Sequence, residues 1–406
     1  MTTPHNHSDA TPRSSAWTVF LVFLRLGLTS FGGPVAHLGF FRNEFVQRRR
    51  WLDEHSYADL VALCQFLPGP ASSQVGLAIG LLRGGYRGAL VAWAGFTLPS
   101  ALVLTLFAIG IQAWDDAVPS GALQGLKIVA VAVVAQAVWG MGRSLCTDNR
   151  RIGICVAAAG TLLLAPSAWS QVGVILAAGL FGLWLFRADA APQSTSLSVA
   201  VGRRTALLLL GLFFALLIGL PVLAQVSSNP LLAMVDAFYR TGSLVFGGGH
   251  VVLPLLQAEV VPTGWVDKNT FLAGYGAAQA VPGPLFTFAA FLGASMNTAP
   301  SGWLGATVCL LAVFAPSFLL VIGAMPFWQL LRRSRHTQAA LGGVNAAVVG
   351  LLIAALYDPV WTSAIAGPAD FAAALLALVA LMFWKMPPWL VVAAGGGAGW
   401  LFGLAT

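Results

Sequence analysis

Charged residues are scarce in this chain, and that scarcity decides its class. Only 9% of its 406 residues are Asp, Glu, Lys or Arg, whereas 58% are hydrophobic. Soluble domains carry about 25% charged residues, so a soluble fold is excluded. The apolar stretches are continuous and lack the alternating polarity of a membrane barrel. The composition therefore predicts an all-α polytopic integral membrane protein.

Signatures of several other protein classes are missing as well. The first 16 residues form a polar tail without the basic segment, apolar core and cleavage site of a signal peptide, so we expect none to be cleaved. No glycine-rich loop ends in Gly-Lys-Ser or Gly-Lys-Thr, the usual phosphate-binding loop of nucleotide hydrolases. The longest polar stretches are the tail and the linker Arg187 to Arg204, which leave no room for a soluble catalytic domain. We expect no enzyme activity, no cofactor and no nucleic-acid partner.

Cysteines are few, and their spacing predicts neither a metal site nor a redox site. The four are Cys64, Cys146, Cys155 and Cys309. None forms a C-x-x-C pair, so we expect them to pack as small hydrophobic residues. A metal site needs three or four convergent ligands, and the sequence offers no such set.

The chain does contain two segments, about 215 residues apart, that repeat one pattern of helix-breaking residues. Phe31-Gly32-Gly33-Pro34 and Pro68-Gly69-Pro70 return as Phe246-Gly247-Gly248-Gly249 and Pro282-Gly283-Pro284. Further aligned pairs are Arg25 with Arg240, Gly27 with Gly242, Glu44 with Glu259, Gln65 with Gln279, Ser73 with Thr287, Pro99-Ser100 with Pro316-Ser317, and Gly125 with Gly343. Fusion of two copies explains the shared order. We divide the chain into a tail (1–16), a first repeat (17–190), a linker with a connecting span (191–225) and a second repeat (226–406).

The charges beside the first break predict that the two copies are inverted. The loop after it contains Arg42 and Arg48–Arg50 in copy one, but Glu259, Asp267 and a single Lys268 in copy two. Cytoplasmic loops collect Lys and Arg, so the same loop should lie inside in one copy and outside in the other. Inverted repeats with broken helices are typical of secondary transporters.

The basic residues also predict that the Pro-Gly-Pro segments are re-entrant. Both Arg48–Arg50 and Arg83/Arg87 should lie inside, yet the segment between them, roughly Tyr57 to Leu82, is apolar enough to span. A reversal at Pro-Gly-Pro within the membrane resolves the conflict; conventional spanning is the competing topology. The remaining spans are predicted near 88–113, 121–142, 152–166, 172–186, 205–225, 303–322, 339–357, 371–384 and 389–405. Turns at Asp115/Asp116 and Pro166–Gln171 should lie outside.

Arg25 and Arg240 are the most informative single residues, because an arginine at membrane depth is costly and indicates function. Its forked, permanently charged guanidinium suits a tetrahedral oxyanion. Snorkelling to the interface, or pairing with Asp236 four residues before Arg240, is the structural alternative.

The breaks supply the other groups of an anion site. A helix that starts inside the membrane presents unpaired N–H groups and a positive dipole end, where oxyanions dock. Pro70 and Pro284 suit the first position of such helices. The alternatives are simple kinks and tight helix contacts at the glycines. The candidate substrate-binding residues are Arg25, Arg240, Gly32, Gly33, Gly247, Gly248, Pro68, Gly69, Pro70, Ser73, Pro282, Gly283, Pro284, Thr287, Gln65 and Gln279.

Other polar residues have weaker claims. Glu44 and Glu259 are matched carboxylates that could carry protons, although loop carboxylates are more often solvated charges or caps. Lys127 has no matching cation in copy two, and snorkelling near the outer face accounts for it equally well. His250 follows the second break without a repeat mate, and His37 lies nearby in sequence.

The ordered pair of motifs in each half resembles the chromate ion transporter family in its long, two-domain form. The markers are Ser30-Phe31-Gly32-Gly33-Pro34 with Gln65-Phe66-Leu67-Pro68-Gly69-Pro70, and Phe246-Gly247-Gly248-Gly249-His250 with Gln279-Ala280-Val281-Pro282-Gly283-Pro284. The resemblance implies export of chromate across the bacterial inner membrane, with chromate resistance as the result. It leaves open whether the substrate is chromate or its analogue sulfate, whether the protein is a transporter or an anion channel, and whether two copies form a homodimer in the lipid bilayer.

Overall fold

The computed structural model describes residues 15–113, 120–186 and 201–405, and these residues form helices joined by short turns, with no strand among them. The first-half helices are α1 (Ala16–Thr29), α2 (Gly33–Arg42, continued by a π-helix over Asn43–Arg48), α3 (Glu54–Phe66), α4 (Ala71–Ala113), α5 (Ser120–Leu145), α6 (Asn149–Leu164) and α7 (Ala168–Leu185). The others are α8 (Arg203–Ser227), α9 (Pro230–Leu244), α10 (Val252–Val260), α11 (Lys268–Ala278), α12 (Phe288–Ala294), α13 (Gly302–Ala324), α14 (Trp328–Arg333), α15 (Arg335–Ala355), α16 (Thr362–Ala364), α17 (Pro368–Met382) and α18 (Pro388–Ala405).

The helices confirm an all-helical polytopic membrane protein. Within the described ranges, six helical segments are long and apolar enough to cross a bilayer, the longest being Ala71–Ala113. Each predicted span coincides with a helix to within a few residues. Residues 1–14 of the predicted N-terminal tail, the turn at Asp115/Asp116 and linker residues 187–200 lie outside the described residues.

A chain reversal divides α4 into two parts. Its one non-helical residue is Gly85, with φ 63° and ψ −155°, a conformation that strongly favours glycine. The parts on either side fold against each other so closely that a methyl group on Gly80 would meet the backbone of Gly88. In the second half, α12 folds back on α13 with the same kind of contact between Gly293 and Gly305. Each half therefore contains a short helix that doubles back immediately after its Pro-Gly-Pro turn.

A second matched contact positions the helix that precedes each break. A Cβ atom on Gly27 of α1 would lie 2.7 Å from the carbonyl oxygen of Gly95 and 2.8 Å from that of Phe96 in α4. Its aligned partner, Gly242 of α9, lies against the backbone of Val313 in α13 in the same way. Small residues let helix backbones approach this closely where no hydrophobic force drives association in lipid. The helix that precedes each break therefore crosses a long helix of its own half at an equivalent point, α1 on α4 and α9 on α13.

The two halves interlock through their later helices. α5 of the first half packs against α11, α17 and α18, while α15 of the second half packs against α6 and α7. The aligned glycines lie at these crossings: Gly125 meets Gly395, and Gly343 meets Ala178. Since each half supplies helices to the packing of the other, the breaks of both halves face a shared interior.

Two sequence expectations are refined here. Cys64, Cys155 and Cys309 are buried as predicted, whereas Cys146 is partly exposed; all four are free thiols. The prolines after the turns lie one residue earlier than predicted: α4 starts at Ala71, and the 3₁₀ turn Leu285–Thr287 that leads into α12 has Pro284 as its cap residue. The proline therefore ends the turn instead of occupying the first helical position.

Candidate functional site

Each Phe-Gly-Gly break is made by two consecutive glycines with positive φ. Gly32 and Gly33 have φ of 98° and 78°, and their partners Gly247 and Gly248 have 73° and 151°. Residues with a Cβ atom adopt such values only at a cost. Two in succession stop helix α1 or α9 and redirect the chain into the next short helix, which is why the motif needs both glycines.

The breaks and the Pro-Gly-Pro turns are joined across the two halves. The Gly69 N–H donates to the carbonyl of Val245 at 2.7 Å, and the Gly283 N–H donates to the carbonyl of Ser30 at 3.0 Å. Val245 and Ser30 each stand directly before the phenylalanine of their break, so they are repeat mates, as are Gly69 and Gly283. The two hydrogen bonds therefore form a reciprocal pair: each turn is bonded to the break of the other half.

The turn glycines also lack room for a side chain. Gly69 has φ 124° and Gly283 has φ 110°. A Cβ atom on Gly69 would lie 2.8 Å from Ser317 Oγ, and one on Gly283 would lie 2.8 Å from Ser100 Oγ. Ser100 and Ser317 are again repeat mates, so each turn is covered by a serine from the opposite half.

The two breaks meet each other at a pair of matched residues. A Cβ atom on Gly249 would lie 3.2 Å from Pro34 Cγ, and Pro34 and Gly249 occupy the same place in the two motifs. A contact between equivalent residues occurs on an axis that relates the copies. The breaks therefore lie against one another in the interior.

Buried polar side chains surround the first break. His37 Nε2 lies 3.2 Å from the Ser30 carbonyl oxygen and its Nδ1 lies 3.3 Å from Ser72 Oγ. This histidine is 1% exposed, so it connects the break to the first turn of α4. Ser73 Oγ, by contrast, is buried without a hydrogen-bond partner among the described residues. Its repeat mate Thr287 is satisfied, since its hydroxyl donates to the Pro284 carbonyl at 2.7 Å.

A cavity of about 250 Å³ opens beside the first break and is lined by both halves. Its polar side chains are Gln136 of α5, His250, Gln279 and Lys385. Gln279 Nε2 is buried and has no hydrogen-bond partner within the described part of the chain. Gly32, Gly33 and Gly283 supply backbone to the same cavity wall. The predicted residues of one break and of the opposite turn are thus brought together.

The corresponding glycine of the second break lies among apolar side chains. A Cβ atom on Gly247 would lie 3.1 Å from Leu145 Cδ1, 3.2 Å from Met141 Cε and 3.6 Å from Val348 Cγ1. The first break therefore borders a polar cavity, whereas Gly247 of the second break is enclosed by apolar side chains.

The two candidate arginines lie in unlike surroundings, and neither lines the cavity. Arg240 is 8% exposed; its Nη2 donates to Asp236 Oδ2 and Glu259 Oε2, each at 3.0 Å. Its guanidinium also lies 4.9 Å from the centre of the Trp169 ring. Arg25 lies on the exposed face of α1. Pairing with Asp236, the structural alternative for Arg240, is therefore present, together with a second carboxylate.

The matched glutamates also differ in their partners. Glu44 accepts from Arg49 Nε at 2.6 Å and from Arg48 Nη1 at 3.0 Å. Burial acts to raise the pKa of Glu44, but the hydrogen bonds from Arg49 and Arg48 outweigh it and hold the pKa below its ordinary value. Glu259 shares the single cation Arg240 with Asp236, so that cluster carries one uncompensated negative charge when both carboxylates are ionised.

The remaining candidates are structural or peripheral. Gln65 is exposed on α3, while Gln74 supports the first turn by donating to the Pro68 carbonyl at 2.6 Å. Lys127 donates to Asn269 Oδ1 at 3.2 Å. No group of three or more His, Cys, Asp or Glu side chains that could hold a metal ion occurs among the described residues.

Sequence reasoning did not identify Lys385, Gln136 or the serines that cover the turns. The serines had a signal, because Pro99-Ser100 and Pro316-Ser317 are aligned pairs. Lys385 and Gln136 had none, since both are single polar residues without a repeat mate of the same chemistry. Only the interlocked packing of α5, α17 and α18 brings them to the first break.

Two interlocked halves with broken helices around a polar interior cavity define a polytopic membrane protein of the transporter class. The family described as Chromate transporter matches residues 17–183 and 232–400, and the chain belongs to this family.

Individual relatives cover nearly the whole chain. A chromate transport protein of Pseudomonas aeruginosa is 29% identical over 98% of this chain and 96% of its own length. A chromate transport protein of Cupriavidus metallidurans is 25% identical over 97% and 94%. An uncharacterized transporter of Methanocaldococcus jannaschii is 28% identical over 84% and 83%. No solved structure matches the chain.

Proposed function

We propose that this protein is a secondary transporter that exports chromate from the cytoplasm across the inner membrane and thereby confers chromate resistance. The observation that carries the proposal is the reciprocal pair of hydrogen bonds, Gly69 to Val245 and Gly283 to Ser30. It couples both breaks to both turns around one polar cavity. Membership of the Chromate transporter family supports the substrate.

We propose further that the halves are inverted and that the short helices are re-entrant. α3 and α12 have 13 and 7 residues, well below the roughly 20 needed to span a bilayer. The Pro-Gly-Pro turns between α3 and α4 and between α11 and α12 would then return the chain to the side from which it entered. Arg48–Arg50 on one side and Lys268 alone on the other follow the positive-inside rule. The last turn, between α17 and α18, then lies on the cytoplasmic side.

The two inverted halves are in different states, and exchange of these states is the basis of the proposed transport cycle. The cavity lies at the first break, while Met141, Leu145 and Val348 close the second. Exchange of these two states between the halves would carry a bound anion from one face to the other. The cross-bonds between turns and breaks would make the halves change together, because moving one turn moves the opposite break.

The membrane potential supplies enough energy for export. It is worth about 2.3 kcal/mol per charge per 100 mV, so a dianion gains about twice that on leaving an inside-negative cell. Proton antiport could add to it. We assign the proton to Glu259, which competes with Asp236 for one arginine; Glu44, with two arginines of its own, stays ionised.

Uptake of radiolabelled chromate by inverted membrane vesicles tests the function. The proposal expects saturable uptake that is absent from vesicles lacking the protein, with excess unlabelled chromate as competitor. Stronger competition by sulfate than by chromate would reassign the substrate to sulfate. Linear uptake without saturation or trans-stimulation would indicate an anion channel instead of a transporter.

A further inference from the structure

The cavity at the first break has a single formally charged side chain among its described lining residues. That residue is Lys385, on the turn between α17 and α18. No Asp or Glu lines the cavity, so no anionic partner competes for the ammonium group there. The corresponding turn between α6 and α7, residues 165–167, carries no charge. The cation is thus specific to one end of the molecule.

The backbone at Lys385 is one that usually selects glycine. Its φ is 53°, in the left-handed region that disfavours residues with a Cβ atom. The residue lies in the tight turn that follows α17, with the Met386 N–H donating to the Ala380 carbonyl at 2.9 Å. Glycine is the residue that adopts a positive φ at no steric cost. A lysine there accepts backbone strain, and strain of this kind concentrates at functional sites.

The turn is held directly against the first break. The ring of Trp389, four residues after Lys385, lies 6.3 Å from the ring of Phe31, centre to centre. Met386 and Pro388 line the same cavity as Gly32 and Gly33. The strained turn therefore presents its lysine at the edge of the space that the break encloses.

The other polar groups of the cavity have unused hydrogen-bonding capacity. His250 Nδ1 lies 2.9 Å from the Tyr275 hydroxyl, which leaves Nε2 without a protein partner in the described ranges. Gln279 Nε2 is buried and unpartnered there as well. One cation with neutral donors suits a small oxyanion. A volume of about 250 Å³ also leaves room for water, which takes about 30 Å³ per molecule in the liquid.

We infer that Lys385 is the cation that captures a divalent oxyanion at the cytoplasmic mouth of this cavity, with His250 and Gln279 as neutral donors deeper in. The inference rests on the proposed function, because the orientation of the turn follows from the inverted topology. It assigns recognition of the anion to one residue of the second half, and not to the duplicated pair Arg25 and Arg240.

Binding to the purified full-length protein tests the inference without requiring transport. Titration with chromate, sulfate and molybdate should show that at least one of these anions binds. Lys385→Gln should lower the affinity for that anion about tenfold, whereas Lys385→Arg should keep an affinity close to that of the parent protein. Lys385→Gly should lose the same affinity while raising thermal stability, because it relieves the left-handed strain. Arg335→Gln is the matched control, an exposed arginine that does not line the cavity.

A rescue experiment separates the effect of the charge at position 385 from the effect of the substitution on folding. Lys385→Cys should regain affinity after reaction with an aminoethyl methanethiosulfonate, which restores an ammonium group, and should not regain it with the uncharged methyl reagent. Equal rescue by both reagents overturns the inference.

The remaining outcomes distinguish this inference from the proposed function. Equal weakening by Lys385→Gln and Arg335→Gln means that only the general surface potential acts, and overturns the role of Lys385. Unchanged anion binding in Lys385→Gln also overturns the role of Lys385, but it leaves the proposal of chromate export intact. Selective loss of sulfate binding, with no chromate bound by the parent protein, supports Lys385 and overturns chromate as substrate.

Discussion

The backbone N–H of Gly69 donates to the carbonyl of Val245 across the interface of the two halves, at 2.7 Å. Its counterpart, Gly283 to Ser30, spans 3.0 Å. Each bond satisfies a carbonyl at the end of a helix in the interior, where an unsatisfied polar group costs about 1–3 kcal/mol; the Ser30 carbonyl also has His37 Nε2 at 3.2 Å. The breaks of one half are therefore stabilised by the turns of the other, and neither half completes its site alone.

Substituting either turn glycine should disrupt this arrangement. Gly69→Ala and Gly283→Ala each place a Cβ atom at a positive φ and against a serine hydroxyl, so we expect a loss of at least about 1 kcal/mol and little or no transport. Thermal unfolding in detergent and chromate flux measure the two effects. Gly153→Ala is the control, because a Cβ atom there meets nothing within 4 Å; it should be neutral or stabilising. Full activity in Gly283→Ala would contradict the account.

Arg240 should be important for stability, in contrast to Arg25. Arg240→Gln leaves the buried Asp236 and the partly buried Glu259 without their cation, which should destabilise the fold by about 3–5 kcal/mol. Arg25→Gln removes an exposed side chain and should leave the unfolding temperature unchanged. A stable Arg25→Gln variant that loses transport would show that Arg25 takes part in transport. Equal stability of both variants would show that the Arg240 cluster contributes little.

The Arg240 cluster also predicts proton coupling through Glu259. If this carboxylate carries the proton, Glu259→Gln should abolish the stimulation of chromate flux by a pH gradient and preserve flux driven by the membrane potential. Glu44→Gln is the matched control and should keep the pH response. Flux measurements with each gradient imposed separately would decide this, and an unchanged pH response in Glu259→Gln would exclude the role.

Glu44 itself should contribute to stability at neutral pH. Its pKa is lower in the folded protein than its ordinary value, so its ion pairs stabilise the fold above the unfolded pKa and are lost as the pH falls through the folded pKa. Glu44→Gln should therefore lower the free energy of unfolding by about 1 kcal/mol at pH 7, with the difference shrinking in acid. A difference that grows as the pH falls would contradict this assignment.

The positions of Arg48 and Lys268 test the inverted topology. Single cysteines at 48 and 268 should react with a membrane-impermeant thiol reagent from opposite faces, the first from the cytoplasmic face. The four native cysteines can first be replaced, since none forms a disulfide. Labelling of both from the same face would reject inversion.

The sequence predicted most helices because continuous apolar segments between charged turns have few alternative structures in a bilayer. It also predicted the breaks, since consecutive glycines and Pro-Gly-Pro allow few helical conformations. It could not predict that Gly69 contacts Val245 or that Met141 closes the second break. Those contacts depend on how α5 and α15 exchange partners between the halves, and packing of small residues leaves no periodic signal.

The two arginines show a related limit. Duplication of Arg25 and Arg240 suggested one shared role, but a repeat aligns backbones and leaves the neighbours free to differ. Asp236 has no counterpart before Arg25, and Trp169 comes from the other half. The same repeat position therefore holds a buried, ion-paired arginine in copy two and an exposed arginine in copy one.

The most direct test of the central claim is chromate flux in liposomes that contain the purified protein under an imposed potassium diffusion potential. The account predicts saturable chromate movement toward the positive side, reversal when the potential is reversed, and its loss in Gly283→Ala. Chromate flux no greater than in protein-free liposomes at either polarity would contradict the account.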